Sequence, residues 1–214
     1  MELMYLGHSS FRMKFKSGMV LVTDPFDSGY VGLAFPKQKA DIVTVSHDCK
    51  DRNFVEGVTD PVKREDIFVM NEEGEHEVGG VEVTAMKDGE ENLIMVIRQN
   101  GISLCHLGDL NHNLTEKEID QIGAIDVLLV PVGGEKTVSD KNIEEIISNM
   151  SPSIVVPMHY KAKGMKDEFK TLREVDEFTK SSSLEVMIEG ENRIKIDVNS
   201  LPENTKIAVL SPKN

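Results

Sequence analysis

Apolar and polar positions follow two different periods along the chain. In the first half the period is two. "FRMKFK" at 11–16 alternates apolar and basic residues, as a half-buried strand does. "ELMYL" (2–6) precedes it, and "MVLVTDP" (19–25) follows, closed by an Asp-Pro stop. "DIVTVS" (41–46) and "IFVM" (67–70) read as further strands, and "HEV" and "VEVTAM" form a hairpin around Gly79-Gly80. "NLIMVIRQNGISLCHLGD" (92–109) is two strands about Asn100-Gly101, the strongest short hairpin signal. In the second half, helical spacing alternates with fully apolar runs. "LTEKEIDQIG" carries a capping box, Thr115 with Glu118, and a Gly123 stop. "SDKNIEEIISNM" starts at Ser139 and puts Ile143, Ile146 and Ile147 on one face. "KDEFKTLREVDEFTK" (166–180) spaces Phe169, Leu172, Val175 and Phe178 as a helix would. "AIDVLLVPVGG" and "SIVVPMHY" read as buried strands, "LEVMIE" and "RIKIDV" as a terminal strand pair, and "KIAVL" as one more strand. Many strands followed by alternating strands and helices predict two packed sheets with helices outside.

Composition narrows the function classes. The 214 residues suit one large domain or two fused halves, and 39% hydrophobic content without Trp rests the core on Val, Ile, Leu and Met. A net charge of −13 repels phosphate backbones and anionic lipid, so neither nucleic acid nor membrane is expected as a partner. No apolar run reaches membrane-spanning length, and the first ten residues lack a basic region followed by a long apolar one. Two cysteines, Cys49 and Cys105, are too few for a disulfide framework, which points to a reducing, cytoplasmic setting.

Metal-type residues gather where strands end. "VTVS" runs into "HDCKDRN", "ISLC" into "HLGDLNH", "SIVVP" into "MHY", and the first strand into "GHSS". Loops at one rim of a rigid sheet are a common way to build a site. His, Cys and carboxylate are the donors Zn²⁺ takes, and a catalytic ion keeps one position open for water. Several of these residues also have plain structural readings. His8 is equally a turn residue bonding nearby backbone or a residue that orients substrate or a metal ligand. His112 reads as a supporting residue at a helix start, His76 as exposed on a hairpin strand, and His106 as buried and hydrogen-bonded. Cys105 reads as a small core residue. Cys49 is a thiolate ligand, a reactive thiol beside Lys50 and Arg52, or a small residue filling a vacated place. "DGEEN" (88–92) reads as a solvated turn, and "PVGG" as a tight turn whose backbone N–H groups face the site.

The segments "YLGHSSFRMKF", "VTDPFD", "ADIVTVSHD", "GEHEVGGVEVTAM", "CHLGDLNHNLTEKEIDQIGAIDVLLVPVGG" and "IVVPMHYKAKG", spread over residues 5–164, resemble the metallo-β-lactamase superfamily. The resemblance is to its small bacterial and archaeal branch of candidate Zn-dependent hydrolases related to L-ascorbate-6-phosphate lactonase. It implies a four-layer αββα sandwich over residues 1–214, in two halves of roughly 1–100 and 101–214. It also implies metals at one edge between the sheets. The family pattern H-x-H-x-D-H is matched by His47 and Asp51, but Cys49 and Arg52 stand where His is expected. Lys87 stands in the region where relatives carry another His. Asp109 matches the bridging carboxylate and His159 the last ligand.

The resemblance thus implies metal ligation by His47, Asp51, Asp109 and His159, with Asp51, Arg52 and Lys87 in catalytic roles. The expected cofactor is Zn or another divalent transition metal, at most one ion per chain, or none. The activity implied is hydrolysis of an ester, lactone or phosphoester, with a small anionic molecule as substrate. The alternative is a non-catalytic descendant that binds a small anion or a protein partner. A homo-oligomer is left open. If the ion is lost, the Lys87 ammonium is expected to reach the first metal position near His47, within salt-bridge range of Asp51 or Asp109.

Overall fold

The computed structural model describes residues 1–88, 91–134 and 137–212. The chain opens with β1 (Glu2–Gly7), β2 (Ser10–Lys14) and β3 (Val20–Thr23), then a single turn of helix, α1 (Ser28–Val31). β4 (Gln38–Lys39), β5 (Ile42–Thr44), β6 (Val58–Thr59) and β7 (Phe68–Met70) are short. β8 (Gly74–Val78), β9 (Val81–Lys87), β10 (Leu93–Gln99) and β11 (Ile102–His106) make consecutive antiparallel hairpins. Then α2 (Glu116–Ile122), β12 (Val127–Pro131), α3 (Asp140–Met150) and β13 (Ile154–Met158) alternate, with β11, β12 and β13 parallel. α4 (Val175–Ser181), β14 (Glu185–Glu189), β15 (Arg193–Lys195) and β16 (Lys206–Val209) complete the chain.

Two large sheets and one small one result among the described residues. One is six-stranded, in the order β15-β1-β2-β3-β5-β7, one eight-stranded, in the order β14-β16-β13-β12-β11-β10-β9-β8, and β4 and β6 form a two-stranded parallel sheet. Alternation sends Leu3, Tyr5, Phe11, Met13, Leu21 and Ile42 inward, into one apolar cluster with Val81, Val83, Ile94 and Val96 of the other sheet. The opposite face of the six-stranded sheet, with Leu6, Val20, Val22 and Val43, is covered by Phe35, Ala40, Val55, Val58 and Ile67. On the eight-stranded side, Ile122 of α2, Ile143, Ile146, Ile147 and Met150 of α3, and Phe178 of α4 join the main core. The architecture is the αββα sandwich of the metallo-β-lactamase fold, with its helical layer heavier on the eight-stranded side. No helix among the described residues is long and apolar enough to cross a membrane.

Local chemistry sets these elements as expected at several points. The Asn100-Gly101 turn has φ of 51° and 75°, the left-handed pair a tight hairpin needs. Thr115 and Glu118 make the reciprocal capping box of α2.

Two expectations change. "LEVMIE" and "RIKIDV" do not pair: β14 lies parallel to β16, and β15 pairs with β1. Helix over 166–180 is confined to Val175–Ser181, preceded by a 3₁₀ turn at Asp167–Phe169. The break follows from anchoring. Phe169 packs with Phe26, Val31 and Leu33, and Arg173 is held by its N–H to Gly133 O at 2.9 Å.

The "PVGG" turn touches the rim directly. A Cβ at Gly133 would lie 2.0 Å from the His159 carbonyl oxygen, so only glycine lets the end of β12 approach the end of β13. We expect Gly133→Ala to destabilise the fold by about 1–3 kcal/mol. Denaturant unfolding checks this. An unchanged midpoint would mean the contact relaxes without strain.

Candidate metal centre

Five strand ends meet at one rim: β1, β3 and β5 from one sheet, β11 and β13 from the other. β1 delivers His8 and β13 delivers His159. Both have left-handed backbones, φ 56° and 53°, and the His159 N–H donates to the His8 carbonyl at 2.8 Å. Non-glycine residues in this region cost about 1 kcal/mol or more and persist where surrounding structure enforces them. The two imidazoles lie 4.4 Å apart between centroids.

The segment after β5 folds back on itself. The Arg52 and Asn53 N–H groups both donate to Cys49 O at 3.0 and 3.1 Å, and the Asn53 amide donates to Asp48 Oδ1 at 2.7 Å. The turn directs Asp51 and Arg52 inward. His8 Nε2–H donates to Asp51 Oδ2 at 2.7 Å, and Arg52 Nη2 donates to the same oxygen at 3.0 Å. Arg52 Nη2 also lies 2.8 Å from Asp109 Oδ2. Arg52 is 0% exposed and is the largest fully buried side chain in the described structure. Asp109 follows β11, its N–H donating to Asn92 Oδ1 at 2.8 Å, while Asn92 Nδ2 donates to Asp88 Oδ2 and to Leu107 O. Behind Arg52 sits buried Asp24, whose carboxylate accepts from the Ser46 N–H and hydroxyl at 2.7 and 2.6 Å.

Electrostatics follow from this packing. Burial alone would raise the Asp51 carboxyl, but the His8 hydrogen bond and the Arg52 charge outweigh it and hold Asp51 below the carboxylate range. Burial opposes ionisation of Asp109 too, and the Arg52 charge and hydrogen bond outweigh it. The Arg52 guanidinium is burdened by burial and raised nonetheless by Asp109, Asp51 and Asp24. His159 goes the other way: burial lowers it to about 3, so its ring is neutral at pH 7. Burial raises the Cys49 thiol, which leaves it protonated at neutral pH and a poor nucleophile.

The placement of each candidate residue is therefore specific. Asp51, Arg52, Asp109 and His159 come together, and His8 joins them. Ligand atoms of His8, Asp51 and His159 lie within 4.8 Å of one another. His47 turns away: its Nδ1 accepts from the Cys49 thiol at 3.5 Å, and its Nε2–H donates to exposed Glu91 at 3.3 Å. Lys87 is exposed at the end of β9, and no ion pair joins it to Asp51 or Asp109. The cation between the carboxylates is Arg52, because the turn after β5 carries it inward while β9 ends with Lys87 facing solvent. Lys87 instead borders a groove of about 530 Å³ shared with Asp88, Asn111, His112, Lys117 and Glu118.

Of the other histidines, His106 is buried, donating to Ser9 O at 2.9 Å, and His112 hydrogen-bonds Glu118 at 3.1 Å. His76 is exposed beside Phe68. Cys105 is in the core, its thiol pushed up to about 12 by burial. Gly89 and Glu90 of the "DGEEN" turn lie outside the described residues, whereas Asp88 and Asn92 are buried rather than solvated.

Three buried acceptor atoms of this cluster, among the described residues, lack partners in ways that bear on a metal. His8 Nδ1, His159 Nδ1 and Asp109 Oδ1 have none, and His159 Nδ1 stands 3.6 Å from Asp109 Oδ1, beyond hydrogen-bond range. On Arg52, the Nε and Nη1 donors are also unpartnered. Nitrogen and carboxylate oxygen with free lone pairs are the donors a divalent ion takes. The residues present fit such an ion.

Comparison with known proteins agrees with the fold. Residues 2–159 match the family model of the β-lactamase superfamily domain. The chain superposes on a candidate Zn-dependent hydrolase of the metallo-β-lactamase superfamily from Thermotoga maritima, with a TM-score of 0.78, 31% identity and 98% of each chain covered. The chain belongs to the metallo-β-lactamase superfamily. It is also 25% identical to a metal-dependent hydrolase of Methanopyrus kandleri, over 90% of this chain and 99% of that one. A Pyrococcus abyssi protein matches at 37% identity over 76 residues, 33% of this chain and about a third of that protein's length (35%).

The neutral buried His159 makes a prediction for the metal-free protein. Its folded pKa of about 3 lies below the ordinary 6.5, so between these values the unfolded state binds the extra proton. Stability is then full above pH 6.5 and is lost as pH falls toward 3, by up to about 1.4 kcal/mol per pH unit for this one proton. In chelator, His159→Gln should flatten the stability profile between about pH 6 and 5, above the carboxylate range. An identical slope in wild type and variant would contradict a neutral, buried His159.

Proposed function

We propose that this protein is a metal-dependent hydrolase holding one divalent ion per chain and acting on an anionic ester, lactone or phosphoester. The observation that carries the reading is the convergence of His8, Asp51 and His159 within 4.8 Å, beside the unpartnered Asp109 Oδ1. Neutral His159 and ionised Asp51 and Asp109 offer lone pairs at pH 7, so no proton has to be expelled from them before an ion binds. Among the described residues a second ion lacks a donor set: His47 is engaged with Cys49 and Glu91, and positions 49, 52 and 87 carry no His.

The chemistry an ion supplies in such a site is Lewis acidity, which acidifies water and polarises a carbonyl or phosphoryl oxygen. The chain's own residues do the rest. Asp51 is oriented by two donors on one oxygen, His8 and Arg52. Asp109 is oriented by Asn92 and Arg52. Its side chain is 23% exposed and that of Asp51 13%, so the cluster opens to solvent on the carboxylate side, where a substrate enters.

A second reading has one observation in its favour. Arg52 already pairs both carboxylates, as a protein that had lost its metal and kept the fold to bind an anion or a partner would require.

Elemental analysis of untagged protein after dialysis against a weak chelator should find no more than one zinc equivalent per chain. Asp51→Ala should remove the ion, and with it hydrolysis of p-nitrophenyl esters, simple lactones and bis-p-nitrophenyl phosphate. His8→Ala should weaken metal binding by at least roughly 10–100-fold, because it removes both a donor and the hydrogen bond that orients Asp51. Two retained equivalents, or hydrolysis that survives metal removal, would refute the reading.

A further inference from the structure

We infer that Arg52 is a built-in cation standing in place of a second metal ion: it bridges Asp51 and Asp109, keeps the site folded without metal, and limits it to one ion. The stoichiometric half rests on the one-ion hydrolase reading above. The charge-bridging half stands on geometry alone.

The geometry is unusual for an arginine. Its side chain is 0% exposed, and a single nitrogen, Nη2, lies 3.0 Å from Asp51 Oδ2 and 2.8 Å from Asp109 Oδ2. Burying a guanidinium is costly unless it is paired, and the same holds for two carboxylates approaching one another at a rim. Each group therefore makes the others tolerable. A divalent ion bridging two carboxylates resolves the same repulsion, but it dissociates and can be chelated. A guanidinium does neither, and it stays charged at any pH the protein survives. Residue 52 follows Asp51 in a turn whose N–H groups close on Cys49 O, and from that turn its side chain reaches both carboxylates. Lys87, the other cation at a vacated His position, remains in solvent, so the replacement is made by one residue.

The test is a charge-coupling experiment on the full chain. Wild type, Arg52→Met, Asp51→Asn/Asp109→Asn and the triple variant are melted in EDTA and again with excess Zn²⁺, and zinc is counted by elemental analysis. In EDTA, Arg52→Met should lower Tm by roughly 10 °C, the loss typical of breaking a buried pair in a chain of this size. Zn²⁺ should restore much of it. In the Asp51→Asn/Asp109→Asn background the same substitution should cost less than half as much, because no repulsion is left to relieve. Wild type should fold in EDTA, gain less Tm from Zn²⁺ than Arg52→Met does, and retain no second equivalent.

Equal losses in the two backgrounds would mean Arg52 serves only as packing, and would overturn the inference. So would no loss at all, or two ions in wild type. If Arg52→Met does not fold in EDTA, Arg52→Lys decides: it keeps the charge and should fold there, and a loss as complete as that of Met would overturn the inference. Wild type with no ion but clear coupling would remove the one-ion reading and leave the bridging role standing. One ion without coupling would do the reverse.

Discussion

One guanidinium between two carboxylates is the constraint on which the rim depends. Asp51 and Asp109 come from different sheets, the first from the turn after β5 and the second from the end of β11. Without an intervening cation, like charges there would push the two sheets apart at the edge where they must close. Arg52 joins them through Nη2 at 3.0 and 2.8 Å. The remaining polar groups are arranged around this pair: His8 donates to Asp51, Asn92 receives the Asp109 N–H, and Asp24 adds negative charge behind the guanidinium.

The sandwich supplies the stiffness that this arrangement needs. Parallel β11, β12 and β13 end together, and β1, β3 and β5 end at the same rim from the other side, so the two sets of loops face each other across the core. His8 and His159 adopt left-handed backbones there and are tied by a hydrogen bond between their main chains. Gly133 lets β12 come close enough to brace His159. Strain at the two histidines is held by the many apolar residues beneath, which is how a fold commonly presents a few polar groups in a fixed geometry.

Much of the fold was legible because its signals are local. The Asn100-Gly101 hairpin and the Thr115–Glu118 capping box depend on residues within a few positions of one another. The pairing of β14 and β15 was not legible, since either strand suits either sheet by composition and only tertiary packing separates them. The helix over 166–180 failed where Phe169 found a different apolar cluster from Phe178. At the site, Asp51, Arg52, Asp109 and His159 were named from the family resemblance, and the structure brings their side chains together. His8 remained ambiguous because a turn histidine has two ordinary uses. Asn92 carried no signal, as its role depends on a contact with Asp109, 17 positions away. Lys87 was the cation expected between the carboxylates, and Arg52 takes that place instead, because backbone direction, invisible in a single sequence, separates them.

The measurement that bears most directly on this account is an anomalous difference map at the zinc edge from crystals grown or soaked with excess Zn²⁺. The account predicts a single peak per chain at the rim, bounded by the His8, Asp51 and His159 donors, with the Arg52 guanidinium still between Asp51 and Asp109. Two peaks, or an Arg52 side chain displaced into solvent by the incoming ion, would contradict it.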